Sequence, residues 1–464
     1  MNAPDASIAG TTLSVAEQIA VQICDLHSAV LPEKAIEIAQ LLMLDVVGLC
    51  VAGRHESYIG AILETVEPGG KCTAFGHSGS FNVYDAALIN GTAAHGEDFD
   101  DTFEGGPVHS GAVVVPAVLA ICEREQLDGQ ALLRGVVIGA ELMCRLALVA
   151  PRAIHSAGFH PTAVIGALAA AAGVSAALKL NAKQTASALG IAGSMASGII
   201  EYLAEGTSTK RVHAGWAAQA GVRAALLARG GFDGPRTVLE GTHGFFKAFA
   251  PSRTPDFAPL LGGFGSHWVM TNIAFKPYAC GTMTQPYIDC AIALAERGVL
   301  AENIQAIVCK VGEGTVHRLW ETLAVKHRPP TPYAAKFSTP YCMAVGFFDR
   351  RAGFAQFTEQ RVRDESVLAL AAKIRYEIDP ENAYPSNFTG HLKAIMNDGR
   401  VEEVNQPYMR GGAHEPLSAG ELAMKFTDNC QYGGWTNGLG IEAKHWCEAV
   451  FAQSTMVGAN AFQR

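Results

Sequence analysis

Pro161-Thr-Ala-Val-Ile-Gly-Ala-Leu-Ala-Ala-Ala-Ala-Gly-Val-Ser-Ala-Ala-Leu178 contains no charged side chain, and Lys179 closes it. Its alanine and leucine content favours a helix. No polar stripe runs along it, so that helix must be apolar on every side. Such a helix either crosses a membrane or sits among other helices. The run stops just short of the roughly 20 residues that span a bilayer. It is therefore read as a buried central helix.

Helix signals continue on both sides. Upstream, Ser14 with Glu17 has capping-box spacing, and Pro32-Glu33 opens an apolar stretch that runs to Val51 and stops at Gly53. Asp85 to His95, Val113 to Arg124 and Asp128 to Val149 follow, with Asp128 as an N-cap. Downstream, Asn181 and Gln184 repeat the capping-box spacing, and Val212 to Arg229 ends at Gly230-Gly231. Near residue 265 the texture changes. Ile304 to Val311 and Ile374 to Ile378 read as strands. His391 to Met396 and Val401 to Asn405 form a hairpin through Asn397-Asp398-Gly399. Thr339-Pro340 begins a helix that runs to Phe348, and Ser418 with Glu421 begins a last helical stretch. The expected fold is mostly α: a large helical domain over 1–268, joined by a C-terminal return near 419–464, and a smaller α+β domain over 269–418.

Composition excludes several classes. Of 464 residues, 49% are apolar and 17% charged, and the net charge is −9. That is enough apolar chain for a large core, and there is no basic stripe for nucleic acid. The 11 cysteines include no C-x-x-C pair, which points to free thiols in a reducing compartment. No signal peptide is seen, so a soluble, cytoplasmic protein is expected, without membrane or nucleic-acid partners. The first dozen residues are expected to be disordered.

The chemistry concentrates in a few polar strings. His95-Gly-Glu-Asp98-Phe-Asp100-Asp101-Thr102-Phe-Glu104, followed by His109-Ser110, packs five acids into a short interval between apolar helices. These acids must meet water, a cation or protein donors. Asp100-Asp101-x-x-Glu104 also matches the short magnesium motif of helical prenyl-diphosphate enzymes, and capping of the adjacent helices is the alternative. His160 stands at the start of the uncharged helix, where an apolar wall meets solvent, a suitable place for an acid or base. Lys210 opens a further helix whose N-terminus favours an anion. Lys276 and Tyr341 add a cation and a phenol, the latter in a first helical turn where the dipole favours a more acidic group. Together these groups suit a substrate with several carboxylates.

The strings Asn90-Gly-Thr-Ala-Ala-His95-x-x-Asp98-Phe-Asp-Asp-Thr102, Gly158-Phe-His160-Pro-Thr162, Thr209-Lys210-x-x-His213-x-Gly215, Gly241-x-x-Gly244-Phe-Phe and Lys276-Pro-Tyr-x-Cys280 resemble the MmgE/PrpD family. So does the Asp398-Gly399 hairpin followed by Glu415-Pro416-Leu417-Ser418. Members include 2-methylcitrate dehydratase, cis-aconitate decarboxylase and iminodisuccinate epimerase. The resemblance implies a helical domain with an α+β lid, a homodimer, no metal and no organic cofactor. It further implies His160, His109, Lys210, Tyr341 and Asp98 as catalytic residues, with Thr102, Lys276 and His213 binding substrate. In the decarboxylase branch a catalytic histidine follows the position of Lys276 by five residues; here that position is Gly281. The interval from Thr102 to His109 is also one residue longer than in that branch, and Gln285 replaces a second family histidine.

The expected chemistry is proton transfer at a carbon beside a carboxylate, with His160 as base and His109 or Tyr341 as partner acid. A hydro-lyase acting on a 2-methylcitrate-like hydroxy-polycarboxylate is the leading expectation. The alternatives are an epimerase of a dicarboxylate such as iminodisuccinate, a decarboxylase, and a non-catalytic binding protein.

Overall fold

In the computed structural model, which describes residues 12–455 and 459–463, the uncharged run is a helix over Pro161–Ala177 with every residue buried. The expected disorder of the first dozen residues falls, but for Thr12, outside the described residues. Numbered along the chain, the longer helices of the first half are α1 (Val15–Asp25), α2 (Glu33–Gly53), α3 (Val83–His95), α4 (Ser110–Glu125), α5 (Gly129–Val149), α6 (Pro161–Ala177), α7 (Ala182–Met195) and α8 (Thr209–Arg229). Helices α4, α5, α7 and α8 all pack against α6, so the residue pattern that marked it as central is satisfied from four sides. Capping boxes start α1 at Ser14 and α7 at Asn181, and the Asp128 carboxylate accepts from the Ala131 N–H at the start of α5.

Small residues set the spacing between helices. Gly91 of α3 faces Gly215 of α8, and a Cβ on Gly215 would stand 2.2 Å from the Leu88 carbonyl oxygen. Only hydrogen fits there, and that close approach brings the end of α3, at His95, beside the start of α8, at Lys210.

The smaller part is built on four strands, β1 (Ile304–Val311), β2 (Ile374–Ile378), β3 (Gly390–Met396) and β4 (Val401–Gln406), in the order β2-β1-β3-β4. Strands β1 and β2 are parallel, while β3 and β4 form the expected hairpin, with Leu392 opposite Val404 and Gly399 in the turn at φ +85°. Helix α9 (Gln285–Glu296) covers β3 and β4, and α10 (Thr339–Asp349) packs on α9. The N-cap of α10 is Ser338, one residue before the expected Thr339, because the Ser338 hydroxyl accepts from the Tyr341 N–H.

The chain then returns to the helical part. Helix α11 (Ala419–Tyr432) starts in a Ser418–Glu421 capping box and packs along α2, with the Lys425 ammonium 2.7 Å from the Asp45 carboxylate. Helix α12 (Asn437–Ala449) follows. Among the described residues, α2 alone is long and apolar enough to cross a membrane, yet here it is a core helix, buried over most of its length and holding that ion pair. All eleven cysteines are free thiols, and ten of them are buried.

Candidate active site

The acidic string after α3 is buried, with Glu97, Asp98, Asp100 and Asp101 all shielded from solvent. Each acid meets a donor on the protein. Glu97 takes the Lys336 ammonium at 2.5 Å. Asp98 pairs with Lys210 and accepts from the Tyr333 hydroxyl at 2.9 Å. Asp100 accepts from His95 at 2.7 Å, and its other oxygen lies 3.7 Å from Lys276. Asp101 accepts from the backbone N–H groups of Ser110 and Gly111, capping α4. Glu104 accepts from the Ala413 N–H.

Asp98 is the pivot. Its backbone lies in the left-handed region at φ +58°, which few side chains tolerate and aspartate tolerates better than most. That conformation turns its carbonyl to the Lys276 ammonium, 3.0 Å away, while its carboxylate meets Lys210. A two-residue pairing of Thr102–Phe103 with Ile273–Ala274 fixes the segment that leads to Lys276. No periodicity announces so short a pairing in the sequence.

Beside Asp98 lies a cavity of about 460 Å³. The helical part lines it with Asp98, Thr102, His109, His160, Tyr202 and Lys210, and the α+β part with Lys276, Gly281, Arg318 and Phe337. Six of the eight expected site residues therefore share one chamber. His213 stands behind it, its Nδ1 3.1 Å from the Nδ1 of His160. Tyr341 does not join them. Its hydroxyl donates to the Gln356 carbonyl at 2.7 Å, and burial pushes the phenol up rather than down, so it is neither available nor acidic. Gln285 is likewise structural: its amide donates to the carbonyls of Tyr278 and Cys280, holding the turn below Lys276. Arg318, Tyr202 and Tyr333 were not singled out by sequence, because each is an isolated residue whose neighbours form no motif.

Four imidazoles cluster on the wall of the helical part. The His95 and His160 rings stack with centroids 5.4 Å apart, and His109 lies 5.0 Å from His95. The His109 Nδ1 is 2.6 Å from the Asp101 carbonyl, which can only accept. Nδ1 therefore carries the proton, and the lone pair of the neutral ring sits on Nε2. Burial drives His109 down to about 3 and His213 to about 4, and it holds His160 well below its ordinary value. Burial would raise the Asp98 carboxyl, but Lys210 and Lys276 outweigh it and hold the group well below the usual range. At neutral pH the site thus offers His109, His160 and His213 uncharged beside the ionised Asp98 carboxylate.

His95, Asp100 and His109 also offer ligand atoms within 4.8 Å of one another. Both Nδ1 atoms are already committed as donors, and an ammonium stands beside the remaining Asp100 oxygen. Lys276 is already the cation beside the Asp100 carboxylate, so the trio does not call for a divalent cation to balance it. Nor does the magnesium-motif reading suit Asp101 and Glu104, whose oxygens are taken by backbone donors.

The depressed histidines make a prediction for stability. Below about pH 6.5 the unfolded chain protonates these rings, whereas the folded protein leaves them neutral until about pH 4 or 3. The unfolded state then binds more protons, so stability falls as pH drops from 6.5 to 4, by up to about 1.4 kcal/mol per pH unit for each ring. Urea midpoints measured across that range are expected to show this slope, and His213→Gln is expected to flatten it.

A helical body with an α+β lid, closing over lysine-bound carboxylates and neutral imidazoles, defines the class, and the chain belongs to the MmgE/PrpD family: its N-terminal domain pattern matches residues 17–258 and its C-terminal domain pattern residues 278–436. This is a family of enzymes acting on carboxylate substrates. Among similar proteins, the cis-aconitate decarboxylase-like protein oryM of Aspergillus oryzae is 27% identical, over 89% of this chain and 90% of that protein. A cis-aconitate decarboxylase of Aspergillus terreus is 28% identical over 85% of each chain. The human cis-aconitate decarboxylase is 30% identical, over 74% of this chain and 72% of its own.

Proposed function

We propose that the protein is a hydro-lyase that removes water from a 2-methylcitrate-like hydroxy-polycarboxylate. The observation that carries this reading is one chamber lined by two lysines, Lys210 paired with Asp98 and Lys276 backed by Asp100, and by two neutral imidazoles, His109 and His160. A C–H beside a carboxylate is weakly acidic, so the developing enolate must be stabilised before an imidazole can act as base. Lys210 and Lys276 supply that charge. His109, with its lone pair on Nε2, takes the proton from carbon. The C–O bond then breaks as the C=C bond forms. The departing hydroxide takes up the proton that His109 removed from carbon and leaves as water, and the neutral His160 ring donates a hydrogen bond to the leaving oxygen. This moves the base expected at His160 to His109, because the Asp101 carbonyl fixes His109 in the accepting tautomer.

The named relatives favour a second reading, decarboxylation. Against it, Gly281 lines the chamber without a side chain where that branch is expected to have its histidine. Epimerisation of a dicarboxylate needs only the imidazole pair and remains the third outcome. Support for a homodimer comes from Trp216 and Leu227, exposed on one face of α8, and light scattering tests it. A cytoplasmic location is part of the same proposal and is favoured by the free thiols.

Proton NMR in deuterated buffer, with 2-methylcitrate stereoisomers, citrate, cis-aconitate and iminodisuccinate, separates the reactions. An olefinic product formed with loss of water supports the hydro-lyase. Loss of a carboxyl carbon from cis-aconitate replaces it with the decarboxylase, and deuterium uptake without net product replaces it with the epimerase. In the active pair, His109→Gln is expected to lower kcat by about 10²–10⁴-fold while the protein stays folded.

A further inference from the structure

Each buried lysine of the site already faces an acid before any substrate arrives. Lys210 faces Asp98, Lys276 faces Asp100, Lys336 faces Glu97 and Lys425 faces Asp45. A substrate with two or three carboxylates therefore gains from a cation that no acid of the protein shares. Arg318, on the short helix Glu313–Leu319, lines the chamber and has no acid within ion-pair distance among the described residues. Its Nε is buried without a hydrogen-bond partner. Arg318 and Lys210 lie against the same Phe337 ring, 5.9 and 5.8 Å from its centroid, so one aromatic wall links the two cations. The charge of Arg318 also reaches Tyr202, whose ring packs edge-on against His160. Arg152, the other unpaired guanidinium in the lining, is solvent-exposed.

We propose that Arg318 is the specificity-determining residue that binds the second carboxylate of the substrate, the one remote from the reacting carbon. The inference rests on the carboxylate-acting function proposed above and adds which group selects a polycarboxylate over a monocarboxylate. A guanidinium binds a carboxylate through paired N–H donors in a fixed plane, which an ammonium cannot reproduce.

The test measures calorimetric affinity of the full-length protein for tricarballylate, which has three carboxylates and no hydroxyl to lose, and for butyrate. Arg318→Met is expected to weaken tricarballylate by about 10–100-fold and leave butyrate unchanged, with Arg318→Lys between the variant and wild type. With the reacting substrate, KM should rise by a similar factor while kcat stays within about threefold. If Arg318→Met binds tricarballylate like wild type while Lys210→Met does not, the Arg318 assignment fails and the carboxylate reading stands. If wild-type protein binds neither acid, both fall. Equal weakening of tricarballylate and butyrate would also overturn the assignment, since it marks a general structural role. Circular dichroism of each variant checks that it is folded.

Discussion

Lys210→Met is expected to lower turnover by about a thousandfold or more and to destabilise the protein as well. The ammonium is buried, it pairs with Asp98, and it lines the chamber beside the imidazoles. Removing one preorganised donor to a developing oxyanion costs about 10²–10³-fold, and loss of the cation also misplaces the carboxylate it holds. The stability effect has a separate origin. Methionine leaves Asp98 buried and ionised with one partner missing, and breaking such a pair costs about 3–5 kcal/mol. The double variant Lys210→Met/Asp98→Asn separates the two effects. It removes the orphaned charge, so its urea midpoint should recover most of the loss while kcat stays near background. Turnover within tenfold of wild type in the single variant would remove Lys210 from the mechanism.

Gly215→Val is expected to be the most damaging change outside the chamber. Its Cβ would stand 2.2 Å from the Leu88 carbonyl and 2.4 Å from the Thr92 hydroxyl, so backbone must move. Overpacking of this kind costs about 3 kcal/mol or more. Because α3 ends at His95 and α8 begins beside Lys210, separating the two helices also spreads the site, and activity should fall further than stability alone accounts for. Gly60→Ala is the control. Nothing lies within 4 Å of a Cβ there, and the substitution should be neutral or stabilising by about 0.5–1 kcal/mol. Thermal denaturation of both variants decides the matter.

The helical half was legible because its signals are long. An uncharged run such as Pro161–Leu178 has one physical solution in a folded chain, and the capping boxes at Ser14, Asn181 and Ser418 mark helix starts through local bonds. The parallel pairing of β1 with β2 was not legible, since its two strands are far apart in sequence and each alone reads only as β-branched. In the site, Asp98, His109, His160, Lys210 and Lys276 stood out because charged or titratable groups beside apolar helices have few bland explanations. Tyr341 was placed correctly in a first turn and wrongly in the chamber, because the Gln356 carbonyl that claims its hydroxyl arrives only through tertiary packing. Arg318 and Tyr333 sit on helices of one or two turns, too short to leave a pattern.

The turn after α3 is gripped from two sides. Lys276, Tyr333 and Lys336 of the α+β part hold Asp98 and Glu97, while Lys425 from the C-terminal return reaches the Phe99 carbonyl. Swinging the two parts apart like a hinged clam would strip these desolvated ions of their partners, at several kcal/mol for each pair. Traffic of small acids through the exposed rim at Arg152, Ser156 and Ser386 is the less costly route. The molecule is thus better pictured as a riveted box with a porthole than as a jaw. Substrate and product should pass through that opening, and neither half supplies a working chamber without the other.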